Sequence, residues 1–108
     1  GLVGSEMCIR DSPTAVIAIN DYSAVGVMRS IKEHGFRIPE DISLISFDNT
    51  FIVDTVIPRL SSISYDYEAF GKLLVDTALD KIGGKEVPEV QKVTPTLIIR
   101  ESVAELKR

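Results

Sequence analysis

The sequence predicts an α/β domain built on a parallel sheet, and three observations predict it. Thr14 to Ile19 (TAVIAI) is a short, unbroken apolar run rich in β-branched residues, the pattern of a parallel strand buried on both faces. From Tyr22 to His34 the period switches to that of a helix, with Ala24, Val27, Met28 and Ile31 on one side and Arg29, Lys32 and Glu33 on the other. Ile42 to Phe47 (ISLISF) is then a second short apolar run. Strand, helix, strand is a βαβ unit, whose crossover is right-handed in nearly all cases and sets the two strands parallel.

Each element has a local reason. Residues 1–12 (GLVGSEMCIRDS) have no sustained period, no basic stretch and too short an apolar segment for a signal peptide; they are expected to be a non-native or unrelated leader, with a seam at Ser12-Pro13. Asn20-Asp21 stop the first strand. Asp21 stands where it would cap the helix, and Gly35 where a left-handed residue would end it. Arg37 to Asp41 reads as a turn. After Asp48-Asn49, the stretch FIVDTVIP is apolar but irregular, a short helix or loop with an exposed apolar side. Leu60 to Tyr65 (LSSISY) alternates with period two, as a strand buried on one face does. Asp66 is placed to cap a second helix from Tyr67 to Ile82, whose stripe of Tyr67, Phe70, Leu74 and Ala78 is widened by Leu73, Thr77 and Leu79 and ended by Gly83-Gly84. Gly71 inside it reads as a close-packing point. Lys85 to Lys92 is polar, and Thr94 to Arg100 makes a last strand that Pro95 confines to an edge or a strand start. Residues 103–108 form a tail.

Composition narrows the function classes. With 108 residues, 44% hydrophobic and 26% charged, the chain has the make-up of one globular domain or part of a larger one. Twelve Lys and Arg against sixteen Asp and Glu give a net charge of −4, the wrong sign for a surface that neutralises phosphates. The single cysteine, Cys8, rules out an internal disulfide framework, and the single histidine, His34, leaves no zinc cluster. No metal or cofactor is expected, and a reducing, cytoplasmic setting is. His34, at a helix C-terminus, reads as an exposed structural residue. No apolar run reaches the roughly 18 residues of a membrane span.

Ligands of open parallel sheets bind beyond the carboxyl ends of the strands. Asn20-Asp21 and Asp48-Asn49 both stand there. If their strands are neighbours, about 4.8 Å apart, Asn20 and Asp48 reach the same small molecule. A carboxylate accepts hydrogen bonds while an amide donates and accepts, which suits adjacent hydroxyls of a sugar or nucleoside. The same residue types are common turn formers and helix caps, and for Asp21 the cap is the preferred role. Tyr65 and Tyr67 are candidates for stacking on a sugar face, with a half-buried packing role as the alternative. As for catalysis, the strand end ISFDNT resembles that of haloacid-dehalogenase-like phosphatases, yet the second acid such sites need two residues on is Thr50 here. A two-component receiver domain needs an acidic pair that Asn20-Asp21 does not supply. Motifs for a nucleophile elbow, a phosphate loop or a dinucleotide turn are missing.

Taken together, PTAVIAINDYSAVGVMRSIKEHGFRIPEDISLISFDNT, IPRLSSISYDYEAFGKLLVD and TLIIRES resemble, in order and spacing, the C-terminal part of the effector-binding core of the lactose/galactose repressor family. The resemblance runs from Pro13 to about Ser102. It implies a periplasmic-binding-protein-like (type I) three-layer sandwich of two subdomains, here a fragment, closing on a small effector that is usually a sugar. It further implies a bacterial DNA-binding transcription regulator that acts as a homodimer, touches DNA only through an N-terminal helix-turn-helix outside this chain, and catalyses nothing. By the same resemblance Asn20 and Asp48 match effector-binding positions, Tyr67 matches a pocket-lining one, and Val25, Met28, Ile52, Val53, Val56 and Ile57 match the dimer surface. The helix from Tyr67 to Ile82 would pack in the N-terminal subdomain, and Thr94 to Arg100 would return to the C-terminal one. Three positions depart from the family: Ser46 where glycine is frequent, Asn49 where a second aspartate is, and Arg59 where a second proline is. The rival within the fold is a periplasmic sugar-binding protein of a transporter. With half the pocket outside the chain, these residues alone are not expected to bind effector with family-like affinity.

Overall fold

The computed structural model describes residues 14–106. In chain order it contains strand β1 (Ala15–Ile17), helix α1 (Asp21–Glu33), strand β2 (Ser43–Phe47), a 3-10 turn (Phe51–Asp54), strand β3 (Ser61–Ser64), helix α2 (Tyr67–Ile82) and strand β4 (Thr96–Ile98). The expected leader, residues 1–12, lies outside the described residues.

The strands form one sheet in the order β1-β2-β3-β4. β1 and β2 are parallel with Val16 facing Leu44, β2 and β3 are parallel with Ser46 facing Ser62, and β4 runs antiparallel to β3 with Ile63 facing Leu97. The βαβ unit is therefore present, and the strand carrying Pro95 just ahead of it sits at an edge.

Helix α1 lies on one face of this sheet. Ala24, Met28 and Ile31 fall on one side of it and are buried, together with Ala18, Ile38, Leu44, Ile52, Val53 and Leu60. Asn20 caps its start, with its side-chain oxygen accepting the Ser23 N–H at 2.7 Å. Its end is a Schellman motif: Gly35, at φ +82°, donates to Lys32 O and Phe36 donates to Ile31 O. Among these positions only glycine adopts that backbone without a Cβ penalty.

Two expectations about burial are corrected. β1 is an edge strand among the described residues, with Ala15 and Ile17 exposed rather than buried on both faces, because it has a neighbour on one side and α1 covers only the Val16 face. β3, expected to be half-buried, has Ser61 and Ser62 both fully enclosed. Ser62 meets α1 on one side. Ser61 is covered on the other by the segment that follows β4: the Ser61 hydroxyl accepts Arg100 N–H at 2.7 Å, and Ser61 N–H donates to the Ser102 hydroxyl at 2.8 Å. Ser102 also bonds β2, with its hydroxyl donating to Leu44 O and its carbonyl accepting from Leu44 N–H.

Helix α2 matches its expected bounds, with Asp66 accepting from Ala69 N–H at its start and Gly84 closing a second Schellman motif. None of its side chains is buried. Its stripe, including Phe70, Leu74 and Leu79, is open, and the radius of gyration is 18.5 Å against about 13 Å for a compact chain of this length.

Candidate functional site

Three parallel strands end at one level. Ile17 faces Ile45, so three residues further the two chains reach Asn20 and Asp48 together; Phe47 faces Ile63, so the next residues are Asp48 and Ser64. The parallel register thus brings Asn20, Asp48 and Ser64 to one rim. The β2–β3 pairing extends one step into it, where Asp48 N–H donates to Ile63 O at 2.8 Å.

At this rim the backbone turns left-handed, with Asp48 at φ 104° and Asn49 at φ 55°. For residues bearing a Cβ this conformation costs about 1–3 kcal/mol each and persists only where the surroundings over-determine it. Four groups do so. Tyr67 at the start of α2 donates its hydroxyl to Asp48 O at 2.8 Å. Asn49 N–H donates to the Ser62 hydroxyl at 3.0 Å, and Asn49 Nδ2 donates to the Ser64 hydroxyl at 3.3 Å. Arg100 Nη2 donates to Asn49 Oδ1 at 2.7 Å.

The sequence-predicted residues are distributed as follows. Asp48 is half-buried, and the Tyr67 hydroxyl that donates to its carbonyl also lies within reach of its carboxylate. Asn20 is at the same rim, but its Oδ1 is used as the α1 cap, which leaves its amide as donor. Tyr67 is brought to Asp48 through that carbonyl, and Tyr65 lies against it with ring centroids 6.1 Å apart. Burial pushes the Tyr67 phenol above its ordinary pKa, and the nearby charges of Asp48 and Asp21 push the same way. Tyr67 is thus a hydroxyl throughout the neutral range.

Asp21 is not the helix cap; Asn20 is. One residue later, Asp21 turns inward and is fully enclosed. Its Oδ1 accepts from the Ser46 hydroxyl at 2.5 Å and the Ser62 hydroxyl at 2.8 Å, and its Oδ2 accepts from Thr50 N–H at 2.5 Å and Thr50 Oγ1 at 2.7 Å. Burial alone would raise its pKa, but the donors from Ser46, Thr50 and Ser62 outweigh it and hold the carboxyl below the ordinary value. One carboxylate therefore ties α1, β2, β3 and the loop beyond Asp48. It is a structural knot placed directly behind the rim. Ser46 supplies a donor here, and Thr50 donates to Asp21 where an enzyme would need an acid.

Arg100 and Ser62 were not singled out from sequence. The signal available for Ser62 was a pair of polar residues at core positions of a strand, LSSIS; for Arg100 there was none beyond its place after an apolar strand. Arg59 pairs with Glu101 of the segment after β4 at 2.7 Å.

The residues matched to a dimer surface divide. Met28, Ile52 and Val53 belong to the chain's own core. The 3-10 turn faces Phe51 and Asp54 outward and turns Ile52 and Val53 in, with Val53 O held by Leu60 N–H at 3.0 Å. Val25 and Ile57 are exposed and Val56 half-buried; with Lys32 and the edge of Met28 they line an open groove of about 460 Å³.

Known proteins match this arrangement. The periplasmic binding protein-like domain family matches residues 3–103, a span that includes most of the stretch expected to be a leader. The transcriptional repressor PurR of Vibrio vulnificus, a helix-turn-helix-type protein, is 36% identical over 98 residues, covering 90% of this chain and 29% of that protein. A LacI-family regulator of Bifidobacterium animalis superposes with a TM-score of 0.82 at 29% identity, covering 95% of this chain and 38% of that one. A LacI-family regulator of Enterococcus faecium with bound ribose superposes with a TM-score of 0.77 at 30% identity, covering 98% and 40%. The chain spans about a third of the length of such relatives. With its strand order, its rim and these matches in agreement, the chain belongs to the periplasmic binding protein-like domain family, in the lactose/galactose repressor branch of it.

Proposed function

We propose that this chain is the effector-sensing and dimerising portion of a cytoplasmic bacterial transcription regulator, that the effector is a sugar or sugar derivative, and that no enzymatic step takes place. The observation that carries the reading is the rim itself. Asn20 and Asp48 are level on adjacent parallel strands, and the Asp48 carboxylate is half-buried at the rim with Tyr67 beside it. A pre-ordered acceptor beside an amide donor forms paired bonds to neighbouring hydroxyls, and its rigid left-handed backbone lowers the ordering cost of binding. The solved Enterococcus faecium relative carries ribose, the kind of ligand this pattern suits. DNA is bound by a helix-turn-helix outside this chain, two copies associate through Val25, Val56 and Ile57, and sugar binding shifts the population between two subdomain arrangements.

Calorimetric titration of the full-length protein with D-ribose, D-glucose and cellobiose tests this. At least one sugar is expected to saturate the site, and Asp48→Asn to weaken it about tenfold or more, since a hydrogen bond to a charged group contributes roughly 1.5–3 kcal/mol. Loss of no affinity in that variant would remove Asp48 from the site. The 108-residue chain alone is expected to give no saturable heat with any of the three.

A further inference from the structure

We infer that Arg100 and Asn49 are positioning residues for the Asp48 carboxylate, and that through them the rim registers how β4 and the segment after it sit on the sheet. This deepens the sugar-site reading and rests on it. The chain leaves the sheet for α2 at Tyr65 and re-enters it along β4, so two crossings connect helix and sheet. At the outward crossing the Ser64 hydroxyl accepts from Asn49 Nδ2, and Tyr67 donates to Asp48 O. Beyond β4, in the segment that leaves the sheet again, Arg100 Nη2 donates to Asn49 Oδ1 at 2.7 Å, its Nη1 donates to Leu60 O at 2.7 Å, and its Nε lies 3.6 Å from Asp54 Oδ1.

The outward crossing and the segment after β4 are therefore bonded to one dipeptide, and that dipeptide holds the left-handed backbone at φ 104° and 55°. Arg100 is unusual among the described cations in this company. Its side chain is only 14% exposed, whereas Arg59, which shares Asp54, is 55% exposed. A planar fork with donors at fixed angles suits holding two acceptors, one in the loop after β2 and one at the entry to β3; a lysine ammonium offers one point charge on a flexible stem. Asn49 uses both ends of its amide, accepting from Arg100 and donating to Ser64. An aspartate there keeps the Arg100 bond, with the Ser64 hydroxyl turning to donate. A displacement of β4 and the segment after it relative to β3 pulls on Asn49 between Arg100 and Ser64 and re-aims Asp48. Sugar affinity and the seating of β4 are then two readings of one linkage.

The test uses the full-length protein with Arg100→Lys, Arg100→Met, Asn49→Ala and Asn49→Asp. It combines calorimetric titration with D-ribose, D-glucose and cellobiose, thermal unfolding, and hydrogen exchange of the peptide spanning residues 48–53. The expected result is that Arg100→Met and Asn49→Ala lower sugar affinity at least tenfold and speed exchange of that peptide at least tenfold, while exchange in α1 is unchanged. Arg100→Lys should fall between, and Asn49→Asp should stay within threefold of the parent in both readouts. If Arg100→Met fails to fold, Arg100→Lys and Asn49→Ala carry the same comparison. Exchange of residues 48–53 within twofold of the parent in the arginine variants overturns the proposal, as does an affinity loss that Asn49→Asp shares with Asn49→Ala. If none of the sugars binds the parent, the sugar-site reading fails, and the exchange data alone still decide whether Arg100 and Asn49 hold the rim.

Discussion

Helices α1 and α2 are both amphipathic, both capped by a side chain at the start and both closed by a left-handed glycine, yet one is half inside a core and the other has no buried residue. Their sequences do not explain the contrast. α1 packs on β2 and the 3-10 turn, whereas α2 leaves the sheet at Tyr65 and shows Phe70, Leu74, Val75 and Leu79 to the outside. An apolar stripe states that a helix has a partner; it does not state that the partner lies in the same stretch of chain. Local chemistry sets where a helix begins and ends, and tertiary neighbours set what its stripe contributes to stability.

The largest expected effect that sharpens this contrast is in the core. Leu44→Ala, at a fully buried position on β2, should cost about 2–5 kcal/mol, while Leu74→Ala on the exposed stripe of α2 should stay within about 0.5 kcal/mol; urea unfolding of the chain measures both. A cost at Leu74 comparable with that at Leu44 would break the comparison. Next comes Asp21→Asn, which places an amide NH2 against donors that Asp21 now accepts, at about 2–3 kcal/mol. The same carboxylate sets a pH signature. Because its folded pKa lies below the ordinary carboxylate value, near 3.9, its contribution is fully present above that value and is lost as the pH falls through the lowered one. Acid unfolding below about pH 4 should therefore lose part of its steepness in Asp21→Asn. Smaller again is a kinetic difference: amides of α2 should exchange faster than the middle amides of α1, read by hydrogen exchange with mass spectrometry. At the bottom, removing the exposed Lys72–Asp76 pair on α2 by Asp76→Ala should leave the unfolding midpoint unchanged within error.

Much of the fold was legible because its signals are local. The bounds of α2 follow from Asp66 and Gly83-Gly84, and the end of α1 from Gly35, since caps are chemical and act within a turn. The irregular FIVDTVIP stretch was open, and a four-residue 3-10 turn is what such a pattern yields when Ile52 and Val53 must reach a core and Asp54 must not. Burial was less legible. TAVIAI reads as doubly buried, and β1 is an edge whose second face has no cover among the described residues. In the site, Asn20 and Asp48 were found by their place after strands, which needs only the assumption of neighbouring strands. Asp21 reads as a cap because its partners are distant in sequence: Ser46 is 25 residues away and Ser62 is 41. No spacing rule connects them; parallel register does. Arg100 is hidden in the same way, 51 residues from the asparagine it holds.

The open side of β1 has a practical consequence. A short strand with Ile17 and Ile19 uncovered, paired on one side only among the described residues, is a template onto which a further strand adds through the main chain, whatever that strand's sequence. Among the described residues that edge is where stacking of one chain on another would begin, and a lysine at position 17 or 19 is the gatekeeper that would oppose it.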